Sequence, residues 1–209
     1  MTRRLVAVLV PRVGDEGFPD EALRAAMVED VYETVAALEL VDPVLALDAE
    51  DPARDLLEAL TWPGTVVVHL PRKSPNASRT RLALDALAAA GADQVTVLAG
   101  DAPDLPGLLV GKLHRALGSA DVAVLPGSDG RLVGLATNAP LPDWLAADPA
   151  AVDLDDDHAL ATLRDAARRR TAVSVGPGWH RVRNRDDLAR LDPGLEGWEI
   201  TRELLGVGG

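Results

Sequence analysis

Two aspartates in turns are the side chains of this sequence best placed for chemistry. Asp101 follows the apolar run 95–99 almost directly, and that run is rich in β-branched residues, as in a buried strand of a parallel sheet. Asp129 lies in the glycine turn 127–130, between two further apolar runs. Because open α/β sheets bind ligands at the carboxyl ends of their strands, the sheet could bring both carboxylates to one edge.

A carboxylate at a strand end has two interpretations. In nucleotide-binding α/β proteins it commonly holds Mg²⁺ or Mn²⁺, and the cation neutralises a diphosphate. Alternatively, Asp101 hydrogen-bonds only its own turn, and Asp129 forms its turn without contacting a ligand. We assign the nearby Asp104 to capping of the helix that follows, with Pro106 in the first turn of that helix.

The elements that must position these residues follow from hydrophobic periodicity. Strands and helices alternate from residue 5 to residue 125, which predicts a single α/β domain with a mostly parallel sheet flanked by helices. Strands are predicted at 5–10, 44–47, 65–70, 95–99, 121–126, 132–136 and 172–175. Helices are predicted from the Asp20 cap to about residue 38, at 51–60, from the Ser78 cap to residue 90, after Asp104, at 158–170, at 185–191 and at 198–205, with a one-turn anchor at 144–145. In the helix that starts at Ser78, the predicted buried stripe consists of Leu82, Ala86, Leu87 and Ala90.

The composition excludes several classes of function. A net charge of −12 and no basic run longer than Arg168 to Arg170 disfavour extended nucleic-acid binding. We assign those three arginines to the end of the predicted helix 158–170. The absence of cysteine excludes disulfides and thiolate chemistry. The apolar run near the N-terminus is too short for a signal peptide or a membrane span, so we expect a cytoplasmic protein without a membrane partner.

Familiar catalytic motifs are missing as well. The four histidines have no paired-ligand spacing, no G-x-S-x-G elbow occurs, and the first loop carries neither G-x-G-x-x-G nor a phosphate loop. These observations argue against a zinc hydrolase, a serine hydrolase, an ordinary dinucleotide site and a P-loop NTPase. The acidic run 153–157 precedes a predicted helix, which favours an interaction with the helix dipole over a metal site.

Three segments, in the right order, resemble one bacterial family. Residues 90–106 resemble AGAD-x-V followed by GSDCPDLP, residues 125–135 resemble GP-x-x-DGGYYLIGL, and residues 179–188 resemble WYDVDTPEDL. These motifs are typical of GT-A-like glycosyltransferases and nucleotidyltransferases related to the molybdenum-cofactor guanylyltransferase and to 2-phospholactate guanylyltransferase. The sequence is similar to a divergent member of that family.

The resemblance implies a three-layer α/β/α nucleotide-diphospho-sugar transferase (GT-A) fold with a mostly parallel central sheet. The matches themselves span most of the chain from about residue 78. We expect one domain of this fold over residues 1–205, with residues 206–209 as a flexible tail. The resemblance also implies a non-sequential strand order, a reversed strand near 131–136, and Asp101 as the catalytic aspartate that binds Mg²⁺ or Mn²⁺. The implied partners are a nucleotide or nucleotide-sugar and a small-molecule acceptor.

Departures from the family's motifs affect the same site. Arg12 is the only cation of the first loop, where the family has a basic K-x-R-L element. Arg181 and Arg183 replace the two aspartates of the family's DVD. An arginine cannot bind a cation, but its fork can hold a phosphate directly. The predicted nucleotide-binding and phosphate-binding residues are therefore Arg12, Gly14, Asp129, Gly130, Arg181 and Arg183.

Two functions from different classes follow. The first is a transferase in which Asp101, with or without a metal, and arginines from positions 12, 181 or 183 position a nucleotide diphosphate, at the carboxyl edge of the sheet, for attack by an acceptor. The second is a catalytically inactive protein of the same fold that binds a phosphorylated ligand or a protein partner. The intact GDAPDLP segment favours the enzyme, whereas the lost acidic motif favours the inactive protein. Fold alone does not choose between them.

Overall fold

The computed structural model describes residues 2–14, 17–72, 74, 77–148 and 152–206. The strands are β1 (Arg4–Leu9), β2 (Asp42–Asp48), β3 (Val66–Leu70), β4 (Gln94–Ala99), β5 (Val122–Pro126), β6 (Leu132–Asn138) and β7 (Val173–Val175). The α-helices are α1 (Glu21–Ala36), α2 (Arg54–Ala59), α3 (Arg79–Ala89), α4 (Gly107–Ala116), α5 (Asp143–Ala146), α6 (Ala159–Ala166) and α7 (Glu199–Leu204), and short 3₁₀ helices span Arg170–Ala172 and Arg185–Arg190.

The seven strands form one sheet in the order β3-β2-β1-β4-β6-β5-β7. All neighbouring strands are parallel except β6, which runs antiparallel to both β4 and β5. The predicted mostly parallel sheet is therefore confirmed, and so is the reversed strand. The reversal brings the start of β6 to the edge at which the parallel strands end.

Helices cover both faces of the sheet. Alternate residues of β1 show the division, because Val6 and Val8 pack toward α1, α2 and α4, whereas Leu5 and Ala7 pack toward α3, α5 and α6. A strand buried on both sides has no polar face, which explains why the strands read as continuous apolar runs. The result is three layers, with helices on either side of the sheet.

Local capping predictions have mixed outcomes. Asp20 accepts a hydrogen bond from the backbone N–H of Leu23, and Ser78 caps α3 in the same way, as predicted. The cap assigned to Asp104 is wrong, because α4 begins at Gly107 and Pro106 occupies its N-cap position. Asp104 is instead buried, where it accepts hydrogen bonds from the indole of Trp179 and from a backbone N–H near the C-terminus.

Two further expectations about helices need correction. Helix α6 ends at Ala166, so the three arginines 168–170 lie beyond it rather than in its last turn. Arg169 forms an ion pair with Asp121 there. In α3, Leu87 is buried as predicted, but Ala90 is exposed and Leu84 is buried instead. The buried Arg81 of α3 donates to the carbonyl of Leu145 in α5, so α3 also contacts α5.

The C-terminal segment folds back onto α1. Trp198 is fully buried in a small apolar cluster with Leu23 and Met27 of α1 and with Val182. Asp30 of α1 accepts hydrogen bonds from two backbone N–H groups at the start of α7. This packing fixes the segment around residues 179–183, which carries two of the predicted site residues.

Helices of the described chain are all too short or too polar to cross a membrane. Most of the predicted flexible tail, residues 207–209, lies outside the described residues. The single domain and the cytoplasmic location stay predictions.

Candidate active site

The candidate site lies where the parallel strands end. Asp48 closes β2, Asp101 follows β4, and Arg12 follows β1. The segments 152–157 and 179–183 bring Asp155 and Arg181 to the same edge, because their backbones contact the start of β6 and the turn after β4. The edge predicted from the sequence is thus the place where these charged side chains meet.

Arg181 and Asp101 form a two-pronged ion pair at the centre of the site. The Nε atom of Arg181 lies 2.6 Å from Oδ1 of Asp101, and Nη2 lies 2.9 Å from Oδ2. The side chains of both residues are about 5% exposed or less. Asp101 therefore does more than bond its own turn, since its carboxylate neutralises a buried guanidinium.

The other N–H groups of Arg181 are also occupied. Nη1 donates to the backbone carbonyls of Leu132 and Leu154, at 3.1 and 3.2 Å, and Nη2 lies 2.8 Å from Oδ1 of Asp155. Together with the bonds to Asp101, these contacts give each of the three guanidinium nitrogens a protein partner. Burial lowers the pKa of Arg181, but the charges and hydrogen bonds of Asp101 and Asp155 outweigh burial and raise the pKa above its ordinary value.

Asp155 joins Arg181 to the second predicted arginine. Its Oδ1 atom lies 2.5 Å from Nη1 of Arg183 as well as close to Arg181. Burial acts to raise the pKa of Asp155, but the two arginines outweigh burial and hold the pKa below its ordinary value. Asp155 is therefore ionised at neutral pH. Arg183 is one-third exposed, and it bonds Asp155 through Nη1.

A second charged group lies beside the first. Asp48 accepts from Nε of Arg12 and from Nε of Arg79, both at 2.7 Å. Arg12 also donates to the carbonyl of Arg72 and is half exposed. Burial lowers the pKa of Arg79, and the charge of Asp48 opposes that shift. The carboxylate of Asp48 is thus shared by Arg12 of the first loop and by Arg79, the first residue of α3.

Two cavities lie over these groups. A narrow pocket of about 80 Å³ is lined by Asp155 and by five of the predicted residues. These five are Arg12, Gly14, Asp101, Arg181 and Arg183. A larger cavity of about 640 Å³ is lined by Arg72, Ser78, Arg79 and others, and shares Arg12 and Asp155 with the first. Five of the seven predicted site residues, from three distant segments, are therefore brought together.

Asp129 and Gly130 lie at the same edge of the sheet. Among the described residues that line the two cavities, neither of them occurs. Asp129 accepts from the backbone N–H and the guanidinium of Arg131, each at 3.2 Å. Gly130 has a φ of +87°, and an added Cβ would lie 2.4 Å from the carbonyl oxygen of Asp157. Both residues shape the turn before β6, and their contact with a ligand stays a prediction.

Three charged site residues were not predicted. Asp48 and Arg79 carried no motif, although Arg79 directly follows the predicted Ser78 cap. Asp155 was assigned to a helix dipole with the rest of 153–157, and of that run Asp156 does accept from the backbone N–H of His158 at the helix start. One signal in the sequence could have indicated the role of Asp155. Asp153 and Asp155 are two residues apart, and so are Arg181 and Arg183, so the two segments carry opposite charges at the same spacing.

The residues present do not fit the predicted divalent cation. Mg²⁺ and Mn²⁺ need several oxygen ligands that are free to coordinate them. Among the described residues, no three His, Asp or Glu side chains could together hold a metal ion. Asp101 and Asp155 are the carboxylates of the narrow pocket, and Arg181 binds both of them.

Several solved structures share this fold. A protein of Desulfovibrio desulfuricans G20, assigned as a nucleotide-diphospho-sugar transferase, is 20% identical over 99% of this chain and 97% of its own, with a TM-score of 0.70. The CMP:2-keto-3-deoxy-manno-octonic acid synthetase complexed with CTP is 14% identical over 99% of both chains, with a TM-score of 0.63. A Mycobacterium tuberculosis H37Rv protein in complex with manganese is 18% identical over 90% of this chain and 97% of its own, with a TM-score of 0.57.

The sequence matches no family model and no curated protein. Similarity at these identities is a similarity of fold. The strand order, the reversed β6 and the three layers agree with it. The chain has a nucleotide-diphospho-sugar transferase fold, as the resemblance predicted.

Proposed function

We propose that this protein is a nucleotidyltransferase that binds a nucleotide at the carboxyl edge of its sheet and transfers the nucleotidyl group to a small-molecule acceptor. The observation that carries the proposal is the convergence of Arg12 and Arg183 on one pocket at that edge. The relationship to the molybdenum-cofactor and 2-phospholactate guanylyltransferases is part of the proposal, and it rests on the three motifs. Transfer of a sugar from a nucleotide-sugar is the alternative reaction, and it would use the same binding site.

Arg12 and Arg183 are the groups proposed to contact phosphate. Both are partly exposed, and each has N–H donors beyond those that bond acceptors in the described part of the chain. Arg181 is left out because each of its guanidinium nitrogens already has a protein partner. The described charged residues of the narrow pocket are three arginines and two aspartates, so the pocket favours an anion.

The larger cavity is the proposed nucleoside site. Its volume of about 640 Å³ lies within the usual range of small-molecule sites. Pro71, Arg72 and Ser78 line it, and it shares Arg12 with the phosphate pocket. A nucleotide can therefore extend from the cavity into the narrow pocket without leaving the sheet edge.

The proposed chemistry depends on positioning and charge. An acceptor oxygen attacks the α-phosphorus, the new P–O bond forms, and the bond to the leaving diphosphate breaks. The arginines neutralise the charge that develops on the phosphate oxygens, which is the main protein contribution to phosphoryl-type transfer. Asp101 acts as a positioning residue, because both of its carboxylate oxygens accept hydrogen bonds from Arg181.

Calorimetry of the purified protein with the four nucleoside triphosphates and common nucleotide-sugars tests the proposal. We expect one of them to bind, and Arg183→Ala to weaken that binding roughly 10- to 100-fold, as for loss of one charge-assisted contact. Arg169→Ala is the matched control, since Arg169 is also exposed and paired with one aspartate, but lies away from both cavities. Failure of every nucleotide to bind at millimolar concentration would refute the proposal.

A specific observation also favours the inactive alternative. The buried pair of Arg181 with Asp101 uses the carboxylate that the family would employ in catalysis. A protein with this site could bind a phosphorylated ligand without transferring it. Release of diphosphate from the bound triphosphate in the presence of phosphorylated acceptors distinguishes the two, because the inactive protein binds but releases none.

A further inference from the structure

Two carboxylates in the narrow pocket, from different parts of the chain, both contact the guanidinium of Arg181. Asp101 comes from the end of β4 and Asp155 from the loop before α6, and both approach the guanidinium of Arg181 within 2.9 Å. Oxygen ligands arranged around a shared space are what Mg²⁺ and Mn²⁺ use in proteins. In this chain a side-chain cation occupies that space.

The arrangement leaves little for a metal to bind. Each oxygen of Asp101 accepts a hydrogen bond from Arg181, and the side chain is 4% exposed. A divalent ion on this carboxylate would lie next to a guanidinium that cannot lose its proton. The two positive charges would repel each other at short range in a partly desolvated site.

We propose that Arg181 is a built-in replacement for the divalent cation, so that this site holds its ligand's phosphates without a metal. Its charge is permanent and is held in place by four hydrogen bonds and by the ion pair with Asp155. It neutralises Asp101 and shares Asp155 with Arg183. The surplus positive charge of the narrow pocket then lies on the partly exposed Arg183 and Arg12, which can attract an anion. The nucleotide part of the inference rests on the proposed function, whereas the statement about the cation does not.

Titration of the full chain with Mn²⁺, followed by electron paramagnetic resonance, tests the cation directly. We expect the wild-type protein to bind no stoichiometric Mn²⁺ through these carboxylates. Arg181→Ala removes the guanidinium and should create a Mn²⁺ site, and adding Asp101→Asn to that variant should abolish it. Stoichiometric Mn²⁺ binding by the wild type that is lost on Asp101→Asn would overturn the inference.

Arg181→Lys is a second variant for the case in which Arg181→Ala does not fold. The lysine keeps one positive charge between the carboxylates, so we expect it to bind no Mn²⁺ either. Circular dichroism establishes that each variant is folded before it is titrated. The wild-type titration decides the question even where no variant at position 181 folds, because a Mn²⁺ site dependent on Asp101 contradicts the inference by itself.

Nucleotide affinity measured in EDTA and in Mg²⁺ completes the test. We expect equal affinities in the two conditions. A nucleotide that binds only with Mg²⁺ would overturn the metal-free inference and leave the proposed function standing. If no nucleotide binds in either condition, the proposed function fails, and the Mn²⁺ titration still decides whether Arg181 has replaced the cation.

Discussion

The Nε atom of Arg181 lies 2.6 Å from Oδ1 of Asp101, a residue 80 positions earlier in the chain. The pair joins the end of the central strand β4 to the segment that the C-terminal helix holds against α1. Taking two charges out of water is costly, and close geometry with additional hydrogen bonds is what offsets that cost. Removing Asp101 therefore leaves the buried Arg181 with only the carboxylate that it shares with Arg183, and removing Arg181 leaves Asp101 without its paired charge.

Asp101→Asn tests the strength of this pair. The variant leaves the buried Arg181 with Asp155 as its remaining carboxylate, so we expect the free energy of unfolding to fall by roughly 3 to 5 kcal/mol. Urea denaturation measures the loss. Asp55→Asn is the control, because Asp55 forms an exposed pair with Arg54, and we expect it to cost less than about 1 kcal/mol. Similar small losses in both variants would contradict a structural role for Asp101.

His114 predicts a pH-dependent loss of stability. Burial, with a smaller effect of the charge of Arg4, lowers its pKa to about 4 in the folded protein. The unfolded chain takes up this proton near pH 6.5, so acidification from pH 7 to pH 4 favours unfolding by about 3 kcal/mol. Below pH 4 both states are protonated, and the loss does not increase further.

The variant His114→Gln isolates that effect. Its amide can replace the hydrogen bond to Thr96 but does not titrate. Burial raises the pKa of Asp30 and Asp153, and these carboxyls stabilise the fold as the pH falls, in both proteins alike. The difference between the two unfolding curves should thus show a step between pH 6.5 and 4. Parallel curves would show that His114 is accessible to protons in the folded state.

Two glycines should respond to alanine in opposite directions. Gly130 has a positive φ and a carbonyl oxygen 2.4 Å from the position of an added Cβ, so Gly130→Ala should destabilise by more than about 1 kcal/mol. Gly111 lies within α4 with open space around it, and Gly111→Ala should stabilise by roughly 0.5 to 1 kcal/mol. Thermal unfolding of both variants checks the contrast, and equal shifts would contradict the packing of Asp157 against the turn.

Trp198 should couple stability to ligand binding. It is 1% exposed, packs with Met27 and Val182, and donates to the carbonyl of Asp192. Trp198→Ala should cost roughly 3 to 5 kcal/mol and weaken nucleotide binding, because Val182 lies between the two site arginines. Trp198→Phe retains most of the apolar contact and should have a smaller effect on both. An unchanged affinity in Trp198→Ala would show that the site does not depend on this cluster.

Local features were readable from the sequence because their causes lie within a few residues. The strands appear as apolar runs since both faces of the sheet are covered. The Asp20 and Ser78 caps were correct because each bonds a backbone N–H three residues ahead. Asp104 fails by the same reasoning, because its partners are 75 and 88 residues away.

The sequence by itself determined the order of strands and helices and the position of Asp101 at a strand end. The three motifs added the fold and the reversed strand. Tertiary structure alone decided that Asp155 and Arg79 join the site and that Arg181 fills the space between two carboxylates. The physical reason is that such pairs depend on how the strands are ordered and how distant loops meet, and no local periodicity encodes that.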